Sequence, residues 1–138
     1  MGTVNSPSEP LRGMRILAVD DQRDLREMLV ALLEQQGAEV VDCDSARKAF
    51  ELLARGEAFD AAVCDVTMPV EDGFTLVGRI RRHEARQLAQ RLPVVALTAH
   101  AAHDIRDLCT AAGFDGYLPK PVEPKQLFAT LRRLVRPH

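Results

Sequence analysis

The sequence lacks paired cysteines, long apolar runs and an excess of positive charge. Cys43, Cys64 and Cys109 are odd in number and widely spaced, which argues against a disulfide framework or a zinc site and predicts reduced thiols in the cytoplasm. No apolar run approaches the roughly twenty residues of a membrane-spanning helix. The first twelve residues contain no apolar signal core. These absences predict a cytoplasmic protein with no membrane partner.

The chain also has no large excess of charge of either sign. Eighteen Lys and Arg residues face twenty Asp and Glu residues, for a net charge of −2. This balance argues against direct binding of nucleic acid, which attracts strongly basic surfaces. The arginine-rich segment from 79 to 91 is interpreted as a solvent-exposed face.

The length of 138 residues fits one domain, which at this size buries roughly 70% of its unfolded surface without needing a metal or disulfide. The first residues are rich in Ser, Pro and Gly and lack periodicity. We therefore predict a tail or linker over 1–12 and a folded domain over 13–138.

Short apolar runs alternate with helical patterns five times along the chain. The strands are predicted at 15–19, 39–42, 61–65, 93–97 and 115–118, and each is followed by apolar residues at helical spacing. Such alternation predicts an α/β fold with a parallel sheet, right-handed crossovers and helices on both faces. Strands one, three and four are the most apolar and should be central, which gives the flavodoxin-like order 2-1-3-4-5.

Polar residues stand where these strands end. Asp20 and Asp21 follow strand one, Asp65 ends strand three, Thr98 ends strand four and Lys120 follows strand five. The carboxyl ends of parallel strands share one edge of the sheet, where ligands bind. The sequence therefore predicts that these five side chains converge.

Three clustered carboxylates need a counter-charge. Two unit charges about 4 Å apart repel by roughly 4 kcal/mol at an effective dielectric of 20. A hard divalent cation would supply that counter-charge, and a site with few carboxylates is typical of Mg²⁺. Mn²⁺ is expected to be able to replace Mg²⁺ there. With Lys120, such an ion would hold a phosphoryl group that a carboxylate attacks to form an aspartyl phosphate. Asp65 is favoured as the nucleophile because it ends a central strand, between strands one and four.

The chain from Met14 to Val135 resembles the receiver domain of two-component response regulators, the group that includes the chemotaxis regulator. The matching motifs are Asp20-Asp21, Asp65 with Met68-Pro69 and Asp72-Gly73, Thr98-Ala99, Tyr117, and Lys120-Pro121.

The resemblance implies a role for each residue of the site. Asp65 would accept a phosphoryl group from a sensor histidine kinase or a histidine phosphotransfer domain. Asp21, Asp65 and the main-chain carbonyl of Thr67 would bind Mg²⁺, with Asp20 supporting the ion through water. The phosphoryl contacts would come from Thr98 and Lys120.

The resemblance also implies a switch. Coupled movement of Thr98 and Tyr117 would alter the face made by helix four, strand five and helix five, where a downstream protein binds. Thr67 and His100 would tune the lifetime of the phosphoryl group. A cis peptide bond is expected before Pro121.

Two other functions remain open at this stage. A phosphatase of the haloacid dehalogenase type needs an acid two residues after its nucleophile, but Thr67 stands there and cannot do acid catalysis. The other is a docking module that is never phosphorylated. The leading interpretation is a signalling phosphoacceptor whose only catalysis is its own phosphotransfer and dephosphorylation. Kinase activity is expected only if the parent chain is a hybrid histidine kinase. Residues 10–17 resemble the linker into the C-terminal receiver of such a kinase, and a stand-alone regulator is the other possibility.

Overall fold

The computed structural model describes residues 9–66, 72–99 and 103–135. The strands are β1 (Arg15–Val19), β2 (Glu39–Cys43), β3 (Ala61–Asp65), β4 (Val94–Thr98) and β5 (Gly116–Pro119). The helices are α1 (Arg23–Gln35), α2 (Ala46–Ala54), α3 (Gly73–Gln87), α4 (His103–Ala112) and α5 (Pro124–Leu134).

The five strands form one parallel sheet in the order β2-β1-β3-β4-β5, which confirms the predicted order. Every residue of β3 and β4 is buried, because helices cover both faces of these central strands. Alternate residues enter two separate cores. Ala62 and Cys64 face the core that includes α2 and α3 residues, while Ala61 and Val63 face the core that includes α1 and α5 residues.

Local sequence signals set several of the helix ends. The hydroxyl of Ser45 accepts a hydrogen bond from the main-chain N–H of Lys48 and caps α2. Pro124 occupies the first turn of α5, where its missing N–H costs nothing. Gly37 adopts a φ of 95° just after α1, a conformation that favours glycine.

The arginine-rich segment differs from its interpretation as a solvated face. Helix α3 continues to Gln87, and Arg81 on it is only 16% exposed. Its guanidinium donates to the carbonyl oxygen of Gly113 and to the carboxylate of Asp115, both at 2.8 Å. Arg81 therefore ties the end of α3 to the turn between α4 and β5.

Core packing begins earlier in the chain than the predicted tail suggests. Leu11 is fully buried, and its N–H donates to the carbonyl oxygen of Gln36 at 2.9 Å. Its leucine side chain joins the core beside α1, so this residue is part of the packed structure. The division into 1–12 and 13–138 stays a prediction.

Within the described part of the chain, we find no helix with the length and apolar character needed to cross a bilayer.

Two glycines of α3 make a matched test of how closely this helix approaches β3. A Cβ on Gly73 would lie 2.6 Å from the carbonyl oxygen of Asp65, whereas a Cβ on Gly78 meets nothing closer than 3.5 Å. We expect Gly73→Ala to lower the free energy of unfolding by about 1–3 kcal/mol through overpacking. Gly78→Ala should raise it by roughly 0.5–1 kcal/mol by reducing chain entropy. Urea unfolding of both variants measures this, and equal effects would contradict the packing described.

Candidate phosphoacceptor and metal site

The predicted carboxylate cluster is present at the carboxyl edge of the sheet. Strands β1 and β3 are neighbours, with Val19 paired with Cys64, so the residues that follow them lie side by side. One oxygen each from Asp20, Asp21 and Asp65 lies within 4.8 Å of the others. Asp20 is fully buried and Asp65 is 3% exposed. Asp21 is exposed, so the cluster has two buried carboxylates and one that faces solvent.

Lys120 supplies a positive charge to this cluster. Its Nζ lies 3.2 Å from Oδ2 of Asp65 and 3.7 Å from Oδ2 of Asp20. Its main-chain N–H donates to the carbonyl oxygen of Thr98 at 2.7 Å, and the peptide bond to Pro121 is cis, as the resemblance implied. Counted over these described side chains, three carboxylates and one ammonium carry a formal net charge of −2.

The environment of Asp20 shows the cost of that imbalance. Its Oδ1 accepts a hydrogen bond from the N–H of Gln22 at 2.9 Å, but its buried Oδ2 accepts none from the described residues. Burial is the largest cause that raises the pKa of Asp20, and the charges of Asp65 and Asp21 add to it. The Gln22 hydrogen bond and the Lys120 charge oppose that rise.

This donor set fits a hard divalent cation. Mg²⁺ prefers oxygen ligands and is commonly held by one or two carboxylates with water completing its shell. Asp20 Oδ2, which accepts no hydrogen bond from the part of the chain that the structure describes, and the net negative charge of the cluster make the pocket electrostatically suited to such an ion. Asp20, Asp21 and Asp65 are the described residues that offer ligand atoms.

Of the other predicted site residues, the structure describes Thr98 and Tyr117. Thr98 is buried at the end of β4, at the same edge as Lys120. Tyr117 is partly buried in β5 and pairs with Ala96 of β4, two residues before Thr98 along that strand. Thr67 and His100 lie outside the described residues, and so do Met68 and Pro69.

Cys64 adjoins Asp65 but belongs to the core. Its side chain is 1% exposed, and its Sγ donates to the carbonyl oxygen of Asp65 at 3.3 Å. Burial is the main cause that raises the pKa of the Cys64 thiol far above its ordinary value. A neutral buried thiol is inert, so this cysteine contributes packing rather than reactivity.

Arg26 was missed by the sequence interpretation. From the first turn of α1, its Nη1 donates to the main-chain carbonyl oxygen of Asp20 and its Nε to the carboxylate of Asp42, both at 2.9 Å. An arginine on the polar side of an amphipathic helix gives no sequence signal of such a contact. The structure thus adds an interaction that acts on the backbone of the acidic pair.

The chain thus combines a doubly wound parallel sheet with an acidic cluster and a lysine at the carboxyl edge of that sheet. The family profile described as the response regulator receiver domain matches residues 16–132. The chain belongs to the response regulator receiver domain family, a family of two-component signalling.

Solved structures agree with this assignment. The receiver domain of the histidine kinase CKI1 from Arabidopsis thaliana, complexed with Mg²⁺ and BeF₃⁻, superposes with a TM-score of 0.82 at 30% identity, covering 93% of this chain and 95% of that one. The receiver domain of the sensor histidine kinase PA1611 from Pseudomonas aeruginosa, with magnesium in its active-site cleft, gives a TM-score of 0.78 at 32% identity. That match covers 89% of this chain and 98% of the other.

Sequence relatives occur in proteins of different length. A 14.6 kDa protein of Leptolyngbya boryana is 40% identical over 125 residues, with 91% of this chain and 92% of that protein covered. The sensor protein GacS of Pseudomonas syringae is 40% identical over 84% of this chain, which spans only 13% of that protein. The transcriptional regulatory protein TctD of Salmonella typhimurium is 40% identical over 89% of this chain and 52% of its own length.

Removing one buried charge tests the electrostatics of the pocket. The pKa of Asp20 is raised, which means that folding favours its neutral form. The resulting contribution to stability is complete below the ordinary Asp pKa of 3.8 and is lost as the pH rises through the pKa of the folded state. In EDTA at pH 7, Asp20→Asn should therefore raise the free energy of unfolding by about 1–3 kcal/mol. Urea unfolding across pH measures this gain, which should shrink as the pH falls. A pH-independent gain, or a loss at pH 7, would contradict the charge assignment.

Proposed function

We propose that this receiver domain accepts a phosphoryl group on Asp65 from the phosphohistidine of a histidine kinase or a histidine phosphotransfer domain, in a Mg²⁺-dependent reaction. The observation that carries the proposal is the position of the Asp65 carboxylate, 3.2 Å from the ammonium of Lys120 and within 4.8 Å of oxygens of Asp20 and Asp21. Asp65 as nucleophile, Lys120 as cationic contact to phosphate and the acidic residues as metal ligands would thus lie together.

The chemistry follows from these contacts. A carboxylate oxygen of Asp65 forms a bond to phosphorus while the bond from phosphorus to the donor nitrogen breaks, so the phosphoryl group passes between the two without change of oxidation state. Lys120 stabilises negative charge on the transferred oxygens, and the Thr98 hydroxyl is assigned to the same group. Asp21 and Asp65, with Asp20 behind them, would hold Mg²⁺, which neutralises developing charge when bound. The carbonyl of Thr67 stays a predicted ligand.

Partner and output are part of the same proposal. Relatives such as GacS are sensor histidine kinases, which supports a kinase or a histidine phosphotransfer protein as donor. We assign Thr98 and Tyr117 to the switch that reports phosphorylation at the face formed by α4, β5 and α5, where a downstream protein would bind. Use of Mn²⁺, a tuning role for Thr67 and His100, the absence of direct nucleic-acid binding and a cytoplasmic location stay predictions.

The two alternative functions are not favoured. The family assignment gives no support to a haloacid-dehalogenase-type phosphatase, and membership of a two-component signalling family leaves no reason to prefer a docking module that is never phosphorylated. Multiple-turnover hydrolysis of p-nitrophenyl phosphate is therefore not expected.

Phosphorylation by a small-molecule donor tests the proposal directly. Incubation with acetyl phosphate and Mg²⁺ should add the mass of one phosphoryl group, measured by intact mass spectrometry, because Asp65 is poised beside Lys120. Asp65→Asn should remove the adduct, since its amide cannot act as the nucleophile. Asp107→Asn, an exposed carboxylate on α4, is the matched control and should keep it. An adduct on Asp65→Asn equal to that on the wild-type protein would overturn the assignment.

A further inference from the structure

We propose that Arg26 is a positioning residue for the metal pocket: by holding the main chain of Asp20, it keeps the carboxylates of Asp20 and Asp21 converged on Asp65. This inference rests on the proposed function, because it concerns the same Mg²⁺ site. It assigns the arginine a role through the backbone of the acidic turn rather than through any contact with the ion.

The turn after β1 needs an external restraint. Oxygens of its two aspartates lie within 4.8 Å of an oxygen of Asp65, and like charges at that separation repel. Among the described residues, Lys120 places its ammonium beside them and compensates part of this charge. Before a cation binds, repulsion therefore acts to swing the turn away from β3.

Two hydrogen bonds hold the main chain of Asp20 from outside β1. Its N–H donates to the carbonyl oxygen of Cys43 at 3.2 Å, at the end of β2. Its carbonyl oxygen accepts from Nη1 of Arg26 at 2.9 Å. The first bond ties the turn to the sheet and the second ties it to α1, so the Arg26 side chain supplies the helix half of the restraint.

The guanidinium itself is fixed in place. Its Nε donates to Oδ2 of Asp42 on β2 at 2.9 Å, and the Arg26 side chain is only 16% exposed. The main-chain N–H of Arg26 also donates to the carbonyl oxygen of Gln22 at 2.9 Å, in the first turn of α1. A planar group with several directed donors can serve both acceptors at once, which a lysine ammonium on a flexible stem does less well.

Arg23 provides a matched control on the same helix. It is also an arginine paired with an acid, but its side chain is 81% exposed and its partner is Glu27 on α1 itself. Replacing Arg23 removes the same charge without touching the acidic turn. Any difference between the two positions therefore reports the contact with Asp20 and not the loss of a positive charge on α1.

The test is a Mg²⁺ titration followed by ¹H–¹⁵N chemical shifts, at a temperature where each variant is folded. Residues that orient metal ligands from behind typically contribute about 10–100-fold in affinity. We expect Arg26→Gln to raise the Mg²⁺ dissociation constant by about tenfold, the low end of that range because Arg26 acts on main chain. Arg26→Lys, which retains the charge but not the planar fork of donors, should give a rise of roughly threefold, and Arg23→Gln should stay within about twofold of the wild-type value.

The outcomes separate positioning from ordinary stabilisation. A purely structural arginine would lower the thermal midpoint in EDTA but leave the dissociation constant of the folded protein unchanged. Wild-type affinity in Arg26→Gln, or an equal loss in Arg23→Gln, would overturn the inference while leaving the proposed function intact. If Arg26→Gln does not fold, Arg26→Lys decides, and wild-type affinity there overturns the inference. A wild-type protein that binds no Mg²⁺ would overturn both.

Discussion

Repulsion among three carboxylates held together at one edge of the sheet is the constraint on which the rest of this structure depends. Asp20, Asp21 and Asp65 are brought within 4.8 Å because β1 and β3 are adjacent and parallel, and Lys120 offsets only part of their charge. Buried central strands supply the rigidity to hold such an arrangement. In the proposed function, a bound cation would relieve this repulsion and would offset charge on the transferred phosphoryl group.

The elements around the pocket contribute to it from separate directions. Gly73 lets α3 begin against the last residues of β3, where a side chain would collide with the carbonyl oxygen of Asp65. Lys120 reaches in from β5, with its main chain anchored on Thr98. Arg26 holds the opposite side from α1. The main chains of Asp20 and Lys120 are thus held by hydrogen bonds, and the two side chains lie at the acidic cluster.

The sheet and most of the site could be predicted from sequence because both depend on short-period patterns. Apolar runs identified the strands, and their relative apolar character gave the central positions, after which Asp65 and Lys120 had to meet at one edge. Arg26 and Arg81 could not be predicted in this way, since helical periodicity marks them as exposed although both reach across to backbone carbonyls. Leu11 was missed for a similar reason: a lone apolar residue among Ser, Pro and Gly has no periodicity to reveal its burial.

The most direct test of the central claim is the free energy of unfolding measured as a function of Mg²⁺ concentration. If the pocket binds Mg²⁺ only when folded, stability should rise with concentration and gain about 1.4 kcal/mol for each tenfold increase above the dissociation constant. Asp65→Asn, which removes one anionic ligand, should shift that rise to higher Mg²⁺ concentration. A wild-type protein whose stability does not change with Mg²⁺, or a variant that follows the wild-type curve, would contradict the account.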